Sequence, residues 1–374
     1  MKWEKTNLGE IIEIKKGKYI TKKDSIPGPY PVILGGRVPA YYINQYNHTG
    51  KAIVVSRSGA SAGFVSFWDE AIFVTDGFLI EPKENVDIVF LYYLMKSNEK
   101  HLIGLQGGAA IPHVTPRTIG AVEIELPPLN EQYKIVNILS AYDDLIENNQ
   151  KQIRLLEEAA QRLYKDWFVD FHFPGHETVK VVDGVPVGWK KGTINNKISL
   201  LSGYAFKSSK FVQNGRYKIV TIKNVKDGQF EGINVSRISE IPGKMPSYCR
   251  LNEGDILLSL TGNVGRVCIV YGKDFLLNQR VAKFKSNMPG YTYCLFRSKD
   301  IFDKMNNLAN GAAQQNLSPI RTGQIRVLFP SDDLILQFEK VVQPILCKII
   351  VGNKKIKILS EARNRLLPRL MGKQ

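Results

Sequence analysis

Apolar residues recur every seven positions over a long stretch near the middle of the chain, roughly from Asn130 to Phe168. The recurring residues are Leu139, Ile146, Ile153, Ala160 and Trp167, and Tyr142, Asn149, Leu156 and Leu163 are interleaved with them. A heptad interval with polar residues in between predicts an α-helix with one buried stripe, the seam of a coiled coil. At about 1.5 Å per residue, such a helix is about 60 Å long.

The same pattern returns at the C-terminal end of the chain, shifted by 203 residues. The predicted seam there consists of Val342, Ile345, Ile349, Ile356, Leu359 and Leu366. Pro344 lacks the amide donor that a helix interior requires, so we expect it to kink or delay this helix, and Gly352 takes the place of Asn149. Two amphipathic helices on separate cores would carry similar stripes, but the shared pattern favours two helices that pack against each other.

Short apolar runs broken by Gly-rich turns precede each long helix, as at Ala52–Val55 and Asp255–Leu258. Such runs are typical of β-strands. Each set ends in a strand of alternating apolar residues that stops at a proline, Pro127 or Pro330. We therefore expect an α+β domain ahead of each helix.

The two domains are copies of each other. The shift of 203 residues that relates the helices also aligns Ser56 with Ser259, Gly59 with Gly262, Pro116 with Pro319 and Gly108-Ala109-Ala110 with Gly311-Ala312-Ala313. Near the start the shift is 186, which matches Trp3 to Trp189, so the second copy has gained residues between its start and its middle. The sequence predicts an α+β fold of two homologous domains separated by a pair of long antiparallel helices.

We place the boundaries from these patterns at a first domain over 1–128, a central helix over 129–170, a linker over 171–188, a second domain over 189–330 and a C-terminal helix over 331–374. The linker is rich in turn residues, which lets the chain reverse. An antiparallel helix pair of this length could hold two domains at the separation of paired half-sites on DNA.

The charge of the chain indicates what kind of partner it binds. The chain has 374 residues with 51 Lys and Arg against 35 Asp and Glu, a net charge of +16. Residues 169–330 carry 23−11 = +12 and residues 1–128 only 14−13 = +1. This excess favours a nucleic acid as partner. We also expect a cytoplasmic protein without membrane contact, because we find neither an apolar signal segment at the start nor a run of about 18 apolar residues.

Catalytic chemistry is not predicted. The cysteines, Cys249, Cys268, Cys294 and Cys347, are far apart, and we expect reduced thiols in the core. His172 and His176 have a metal-like interval but lack a second ligand pair. The Pro-Pro that an adenine methyltransferase would follow with an aromatic residue is followed by Leu129. The Gly-x-x-x-x-Gly-Lys-Ser/Thr motif that binds nucleotide phosphates does not occur in the sequence. We therefore predict no catalytic residue, metal or cofactor in this chain.

Residues that could contact DNA lie in equivalent predicted turns of both copies. Lys and Arg suit phosphates, whereas Arg, Asn and Gln suit base edges. The candidates of the first copy are Lys15, Lys16, Lys18, Arg37, Arg57, Ser58, His113 and Arg117. Those of the second copy are Lys207, Lys210, Lys223, Asn224, Asn263, Arg266, Asn278, Gln279, Arg280, Gln314, Gln315 and Arg321. Each alone could be an ordinary turn residue, and a free-standing nuclease or a protein-binding scaffold remains an alternative reading of the chain.

Several segments resemble the conserved regions of type I restriction-modification specificity subunits. They are Leu126–Gln132, Ile138–Asn149, Leu155–Tyr164, Trp167–Phe171, Phe173–Gly175, Val185–Trp189 and Leu366–Met371. These motifs lie in the helices and at the start of the second domain, and the domains themselves match only in layout. Pro344 and Gly352 leave the straightness of the second helix open.

This resemblance implies a non-catalytic subunit in which each domain is a target-recognition domain for one half of a bipartite double-stranded DNA target. It further implies that the helix pair contacts two modification subunits, which methylate adenine, in a complex with restriction subunits that are motor-nucleases. S-adenosylmethionine, ATP and Mg²⁺ would then be bound by those partners.

Overall fold

A computed structural model describes residues 3–34, 36, 38–107, 112–309 and 315–372. The chain forms two compact units, one built from residues 1–145 and 359–374 and the other from residues 146–358. The division falls inside both long helices rather than in the linker. Each unit therefore combines one domain with one end of each helix.

The first unit begins with strands and short helices that alternate along the chain. Its strands are β1 (Glu4–Asn7), β2 (Ile12–Lys16), β3 (Tyr30–Ile33), β4 (Tyr41–Ile43), β5 (Lys51–Ser56), β6 (Val65–Asp69), β7 (Phe73–Val74), β8 (Gly77–Pro82) and β9 (Glu123–Leu126). Its helices are α1 (Leu8–Ile11), α2 (Ile88–Ser97), α3 (Glu99–Gly104) and α4 (Pro116–Gly120), after which α5 (Leu129–Phe168) leaves the domain.

The strands of the first domain form an antiparallel sheet in the order β2-β8-β5-β6 and a smaller sheet in the order β4-β3-β7, in which β3 and β7 are parallel. The run that predicted a strand at Ala52–Val55 lies in the middle of β5, where it is buried on both faces. Ile53 and Val55 pack into one apolar cluster and Ala52 and Val54 into another. This explains why an uninterrupted apolar run, without alternation, forms this strand.

Local capping fixes the helices of the first domain. Asp87 precedes α2, and its carboxylate accepts hydrogen bonds from the backbone N–H groups of Val89 (2.9 Å) and Phe90 (2.8 Å). Thr115 caps α4 in a reciprocal arrangement with Thr118. These caps satisfy donors that a helix start would otherwise leave unpaired.

The second unit repeats this plan. Its strands are β12 (Lys190–Thr193), β13 (Ser199–Ser202), β14 (Tyr217–Val220), β15 (Val225–Lys226), β16 (Gln229–Phe230), β17 (Ser236–Ile238), β18 (Arg250–Leu251), β19 (Ile256–Ser259), β20 (Val267–Ile269), β21 (Phe275–Leu277), β22 (Val281–Lys285) and β23 (Arg326–Phe329), and a hairpin of β10 (Val181–Val182) and β11 (Val185–Pro186) precedes them. Its helices are α6 (Pro289–Arg297), α7 (Lys299–Ala309), α8 (Pro319–Gly323) and α9 (Asp332–Leu370).

The two domains share their strand order, which confirms the predicted duplication. The sheet β13-β22-β19-β20 corresponds to β2-β8-β5-β6, and β17-β14-β21 corresponds to β4-β3-β7. The residues that the second copy gained form the hairpin β15–β16 and strand β18, which extends the smaller sheet. In each domain the first strand pairs with the last one, β1 with β9 and β12 with β23.

The two long helices are continuous where the heptad pattern predicted them. The expectation that Pro344 delays the second helix is wrong, because α9 begins at Asp332 and runs through Pro344 and Gly352. Pro344 is exposed, so the carbonyl that loses its helical partner can bind water. Across the described ranges, we find no helix with the length and apolar character needed to span a lipid bilayer.

Candidate nucleic-acid interface

In the first domain, the segment that follows β2 lies beside the turn between β7 and β8. Gly17 donates its N–H to the carbonyl of Gly77 (3.0 Å) and Lys18 donates to that of Val74 (3.0 Å). A side chain at Gly17 would lie 2.5 Å from the carbonyl oxygen of Thr75, so this close approach requires glycine. Lys16 and Lys18 are exposed, and Lys15 forms an ion pair with Glu81.

A second loop of the first domain joins this turn. The backbone N–H of Arg57 donates to the carbonyl of Asp76 (3.3 Å), and the guanidinium lies 3.8 Å from the Asp76 carboxylate. Ser58 donates its hydroxyl to the same carboxylate and pairs by its backbone with His113. The structure thus brings Arg57, Ser58 and His113 together at one surface.

Two candidates of the first domain remain to be placed, Arg117 and Arg37. Arg117 is exposed on α4. Arg37 lies outside the described residues.

The second domain builds the same loop surface from different side chains. Tyr204 donates its N–H to the carbonyl of Leu277 (2.9 Å), and Gln279 donates to that of Tyr204 (3.0 Å). The turn that follows β21 carries the candidates Asn278, Gln279 and Arg280, and the last two are exposed.

The loop between β19 and β20 completes this surface. Thr261 pairs with Asn316, which matches the pairing of Ser58 with His113 in the first domain. Asn263 is exposed and Arg266 is half-buried in this loop, and Gln315 is exposed next to Asn316. Arg321 is exposed on α8. Gln314 and both Gly-Ala-Ala segments of the repeat lie outside the described residues.

The other candidates of the second domain separate into exposed and buried residues. Lys207, Lys210 and Lys223 are exposed, and the first two line a cleft of about 580 Å³ with Tyr204. Asn224 is buried, with its side-chain oxygen accepting from the N–H of Thr221 (2.8 Å) and its amide donating to the carbonyl of Glu231 (2.9 Å). In this conformation the amide of Asn224 folds a turn and has no face to offer to a base.

Sequence reasoning missed the acidic member of the first surface. Asp76 is not among the predicted DNA contacts, although the shift of 203 residues aligns Thr75-Asp76 with Asn278-Gln279. That alignment was the available signal. It shows that the same turn carries a charged side chain in one copy and a neutral amide in the other.

Every residue of the predicted seams is buried or half-buried. In the second unit the Phe338 ring on α9 packs against Trp167 and Phe168 on α5, with centroids 5.6 and 4.8 Å apart, and Gly352 faces Ile153. These pairs run in opposite directions along the two helices, so the helices are antiparallel. In the first unit Arg363 on α9 forms an ion pair with Asp143 on α5.

Buried polar contacts attach the helices to the domains. In the first unit Asp143 also accepts a hydrogen bond from the hydroxyl of Tyr93 on α2 (2.6 Å). In the second unit Glu157 on α5 accepts from the hydroxyl of Tyr293 (2.6 Å) and pairs with Arg297, both on α6. Burial lowers the pKa of Arg297 to about 10. A buried charge of this kind must keep its partner, so these contacts hold each domain in a fixed orientation on its helix ends.

The long helices also expose apolar side chains at matching positions of the repeat. Tyr133 and Leu336 are 49% and 56% exposed, Ile138 and Val341 are 44% and 46% exposed, and Leu155 and Ile358 are 65% and 64% exposed. The exposed apolar positions of the long helices therefore follow the same repeat as the domains.

The cysteines do not all follow the prediction. Cys249, Cys268 and Cys294 are buried, and burial raises the pKa of the Cys268 and Cys294 thiols. Cys347 is exposed on α9, which corrects the expectation of a core thiol there. Within the described residues, no three His, Cys, Asp or Glu side chains gather as metal ligands would.

Comparison with known proteins agrees with this geometry. The profile of the type I restriction modification DNA specificity domain matches residues 1–158 and 186–332. The chain is 29% identical over 343 residues to the type I restriction enzyme MjaIX specificity subunit of Methanocaldococcus jannaschii, covering 86% of this chain and 77% of that one. It is 30% identical over 305 residues to the MjaVIII specificity subunit of the same organism, covering 75% and 70%.

A solved structure shares the fold. The chain is similar to the crystal structure of the type I restriction-modification system S subunit from M. genitalium, with a TM-score of 0.62 at 21% identity. The match covers 99% of this chain and 96% of the other. The duplicated domains and the paired helices therefore occur together in another protein.

Proposed function

The chain belongs to the type I restriction-modification DNA specificity family, and on that premise we propose that it reads a bipartite DNA target and holds the catalytic subunits of its complex on that target. The resemblance predicted from the sequence is confirmed by the family profile, which matches both copies of the domain. Two target-recognition domains in one chain suit a target of two separate half-sites.

The observation that carries this proposal is the duplicated loop surface. In each domain the same turns come together, after β7 or β21 and after β5 or β19. Both surfaces carry basic side chains, and the first has an acidic side chain where the second has an amide. The two surfaces have the same backbone plan but different side chains. Because base edges are told apart by the hydrogen-bonding side chains that meet them, this difference supports two half-sites of different sequence.

The matching apolar positions on the helices support two copies of one partner. We infer that this partner is the modification subunit and that one copy contacts each helix. The chain itself contributes no catalytic step in this proposal. S-adenosylmethionine, ATP and Mg²⁺ are bound by the modification subunits and by the restriction subunits that translocate and cut DNA.

Mapping of methylated adenines tests the reading function. The chain is co-expressed with the modification subunit of its own genome in a host that lacks other adenine methylation. We expect methylation at one bipartite motif with a spacer of fixed length. Cleavage or methylation of DNA by the purified chain alone would favour a free-standing enzyme, and a complex that binds no DNA would favour a protein scaffold.

Stoichiometry tests the partner surface. Ile138→Asp and Val341→Asp each place a charge on one helix, and we expect each to reduce the bound modification subunits from two to one and the double variant to reduce them to none. Native mass spectrometry of the purified complex counts the subunits. Asn137→Asp adds the same charge at the neighbouring exposed position and serves as the control. Two bound subunits in the double variant would contradict this surface.

A further inference from the structure

One contact at the loop surface of the first domain has no equivalent in the second. This contact is the ion pair between the Arg57 guanidinium and the Asp76 carboxylate, 3.8 Å apart. The backbone hydrogen bond between the same two residues does have a counterpart, from the N–H of Leu260 to the carbonyl of Arg280 (3.0 Å). The repeat places Leu260 and Gln279 at these positions, so both members of the pair are absent from the second domain.

The pair is only partly covered. The Arg57 side chain is 42% exposed and that of Asp76 is 27% exposed, so the carboxylate lies deeper than the guanidinium. Asp76 also accepts the hydroxyl hydrogen bond of Ser58, which fixes the carboxylate from a second side. A carboxylate held in this way limits the rotamers of the guanidinium and leaves the rest of its donors for a ligand.

We propose that Arg57, positioned by Asp76, reads a guanine in the half-site of the first domain. This inference rests on the proposed function and deepens it. An arginine offers two parallel N–H donors that match the N7 and O6 acceptors of guanine in the major groove. Asp76 is the positioning residue, since the limited freedom of Arg57 reduces the entropy that is lost on binding.

Electrostatics explains why an acidic side chain at a DNA-facing surface requires a partner. A lone carboxylate would be repelled by the phosphates. Paired with Arg57 it is neutralised, and the guanidinium keeps its direction. Because the pair as a whole carries no net charge, it contributes to base discrimination more than to overall attraction.

The second domain has different side chains at the equivalent positions. Leu260 is buried, and Gln279 is exposed at the turn. The hydroxyl of Thr261, equivalent to Ser58, is buried and finds no hydrogen-bond partner within the described part of the chain. The Asn278 side-chain oxygen accepts the N–H of Arg280 within the turn (3.2 Å), so we assign base reading there to the exposed amide of Gln279, which suits adenine.

The test compares base preferences in the complex with the modification subunit, by selection of bound DNA from a pool with randomised half-sites. We expect Arg57→Gln to lose about tenfold or more of the preference for guanine at one position of one half-site. Arg57→Lys should lose less, and Asp76→Asn should keep guanine with a several-fold weaker preference. The other half-site should be unchanged in all three variants, and Lys51→Gln, at the exposed opposite end of β5, is the control.

The outcomes distinguish a failure of the Arg57 assignment from a failure of the proposed function. If the unchanged chain selects no bipartite motif, the proposed function fails. If it selects one and Arg57→Gln selects the same bases, the inference alone fails. A uniform loss of affinity for all sequences would also overturn it, because Arg57 would then be a phosphate contact. Should Arg57→Gln not fold, Arg57→Lys and Asp76→Asn decide the question by the same criteria.

Discussion

Each long helix has a buried polar side chain that accepts hydrogen bonds from backbone N–H groups at the start of a domain helix. Gln132 on α5 accepts the N–H of Asp87 (2.9 Å) just before α2. Glu339 on α9 accepts the N–H groups of Gly290 (3.1 Å) and Tyr291 (2.6 Å) in the first turn of α6. Both copies thus join a long helix to the start of the corresponding domain helix, with an amide in the first copy and, one helical turn further along, a carboxylate in the second.

The Glu339 carboxylate should make the free energy of unfolding depend on pH. Burial raises the pKa of Glu339 above its ordinary value of 4.5, although the two backbone hydrogen bonds oppose this shift. The folded state then binds more protons than the unfolded state, so this group's contribution to stability falls as the pH rises from 4.5 through the raised pKa. Glu339→Gln does not titrate, and its free energy of unfolding should rise relative to the unchanged chain across that window.

Denaturant unfolding between about pH 4 and about pH 7 measures this difference. Glu158→Gln, at an exposed position of α5, is the control and should show no such trend. A difference between Glu339→Gln and the unchanged chain that does not vary with pH would refute the prediction.

For single residues, the sequence predicted the chemical type of the surface side chains better than their tertiary contacts. The chemistry of Arg57 and Gln279 made them candidates for base contact, but the sequence did not reveal that Asn224 is buried in a turn or that the Asp76 carboxylate lies 3.8 Å from the Arg57 guanidinium. Both outcomes depend on tertiary neighbours, which local composition does not specify. Exposed Cys347 on α9 is a similar case, because burial of a single helical residue depends on what packs against it.

At the scale of elements, the heptad pattern predicted both long helices almost to their ends. Their pairing was predictable because two faces with the same spacing can interdigitate. The packing role of Gly352, in contrast, could not be predicted from the sequence. A methyl group there would lie 3.0 Å from Cγ1 and 3.1 Å from Cδ1 of Ile153, so the glycine makes room for a side chain of the other helix.

This close contact predicts the effect of a larger side chain. Gly352→Leu should destabilise the second unit by about 1–3 kcal/mol through overpacking, partly offset by the poor helix propensity of glycine. Ile153→Ala should recover part of that loss when the two changes are combined. A double-mutant cycle in thermal unfolding measures the coupling, with Val351→Leu at the adjacent exposed position as control. Independent effects of the two substitutions would show that these residues do not pack together.

The whole molecule has an unequal charge distribution over two similar domains. The second domain carries most of the positive excess, and with it most of the sequence-independent attraction to phosphates that the proposed function requires. The duplication and the charge could be derived from the sequence, because both are sums over many residues. The division into compact units could not, since it depends on which ends of the two helices pack with which domain.

This inequality predicts where the salt dependence arises. Reversing Lys207 and Lys210 to Glu should reduce the slope of log affinity against log salt by about 2, since each phosphate contact contributes about 0.9. Lys180→Glu in the linker is the control, and fluorescence anisotropy at several salt concentrations gives the slopes. An unchanged slope would exclude these two lysines as phosphate contacts.

The proposed function implies that the paired helices set the distance between the two half-sites. Seven residues inserted in both helices, after Asn149 and after Lys355, keep the seam in register and lengthen each helix by roughly 10 Å, about three base pairs. Mapping of methylated sites should then show the same two half-sites with a longer spacer. An unchanged spacer in a complex that still methylates DNA would show that the helices do not set this distance.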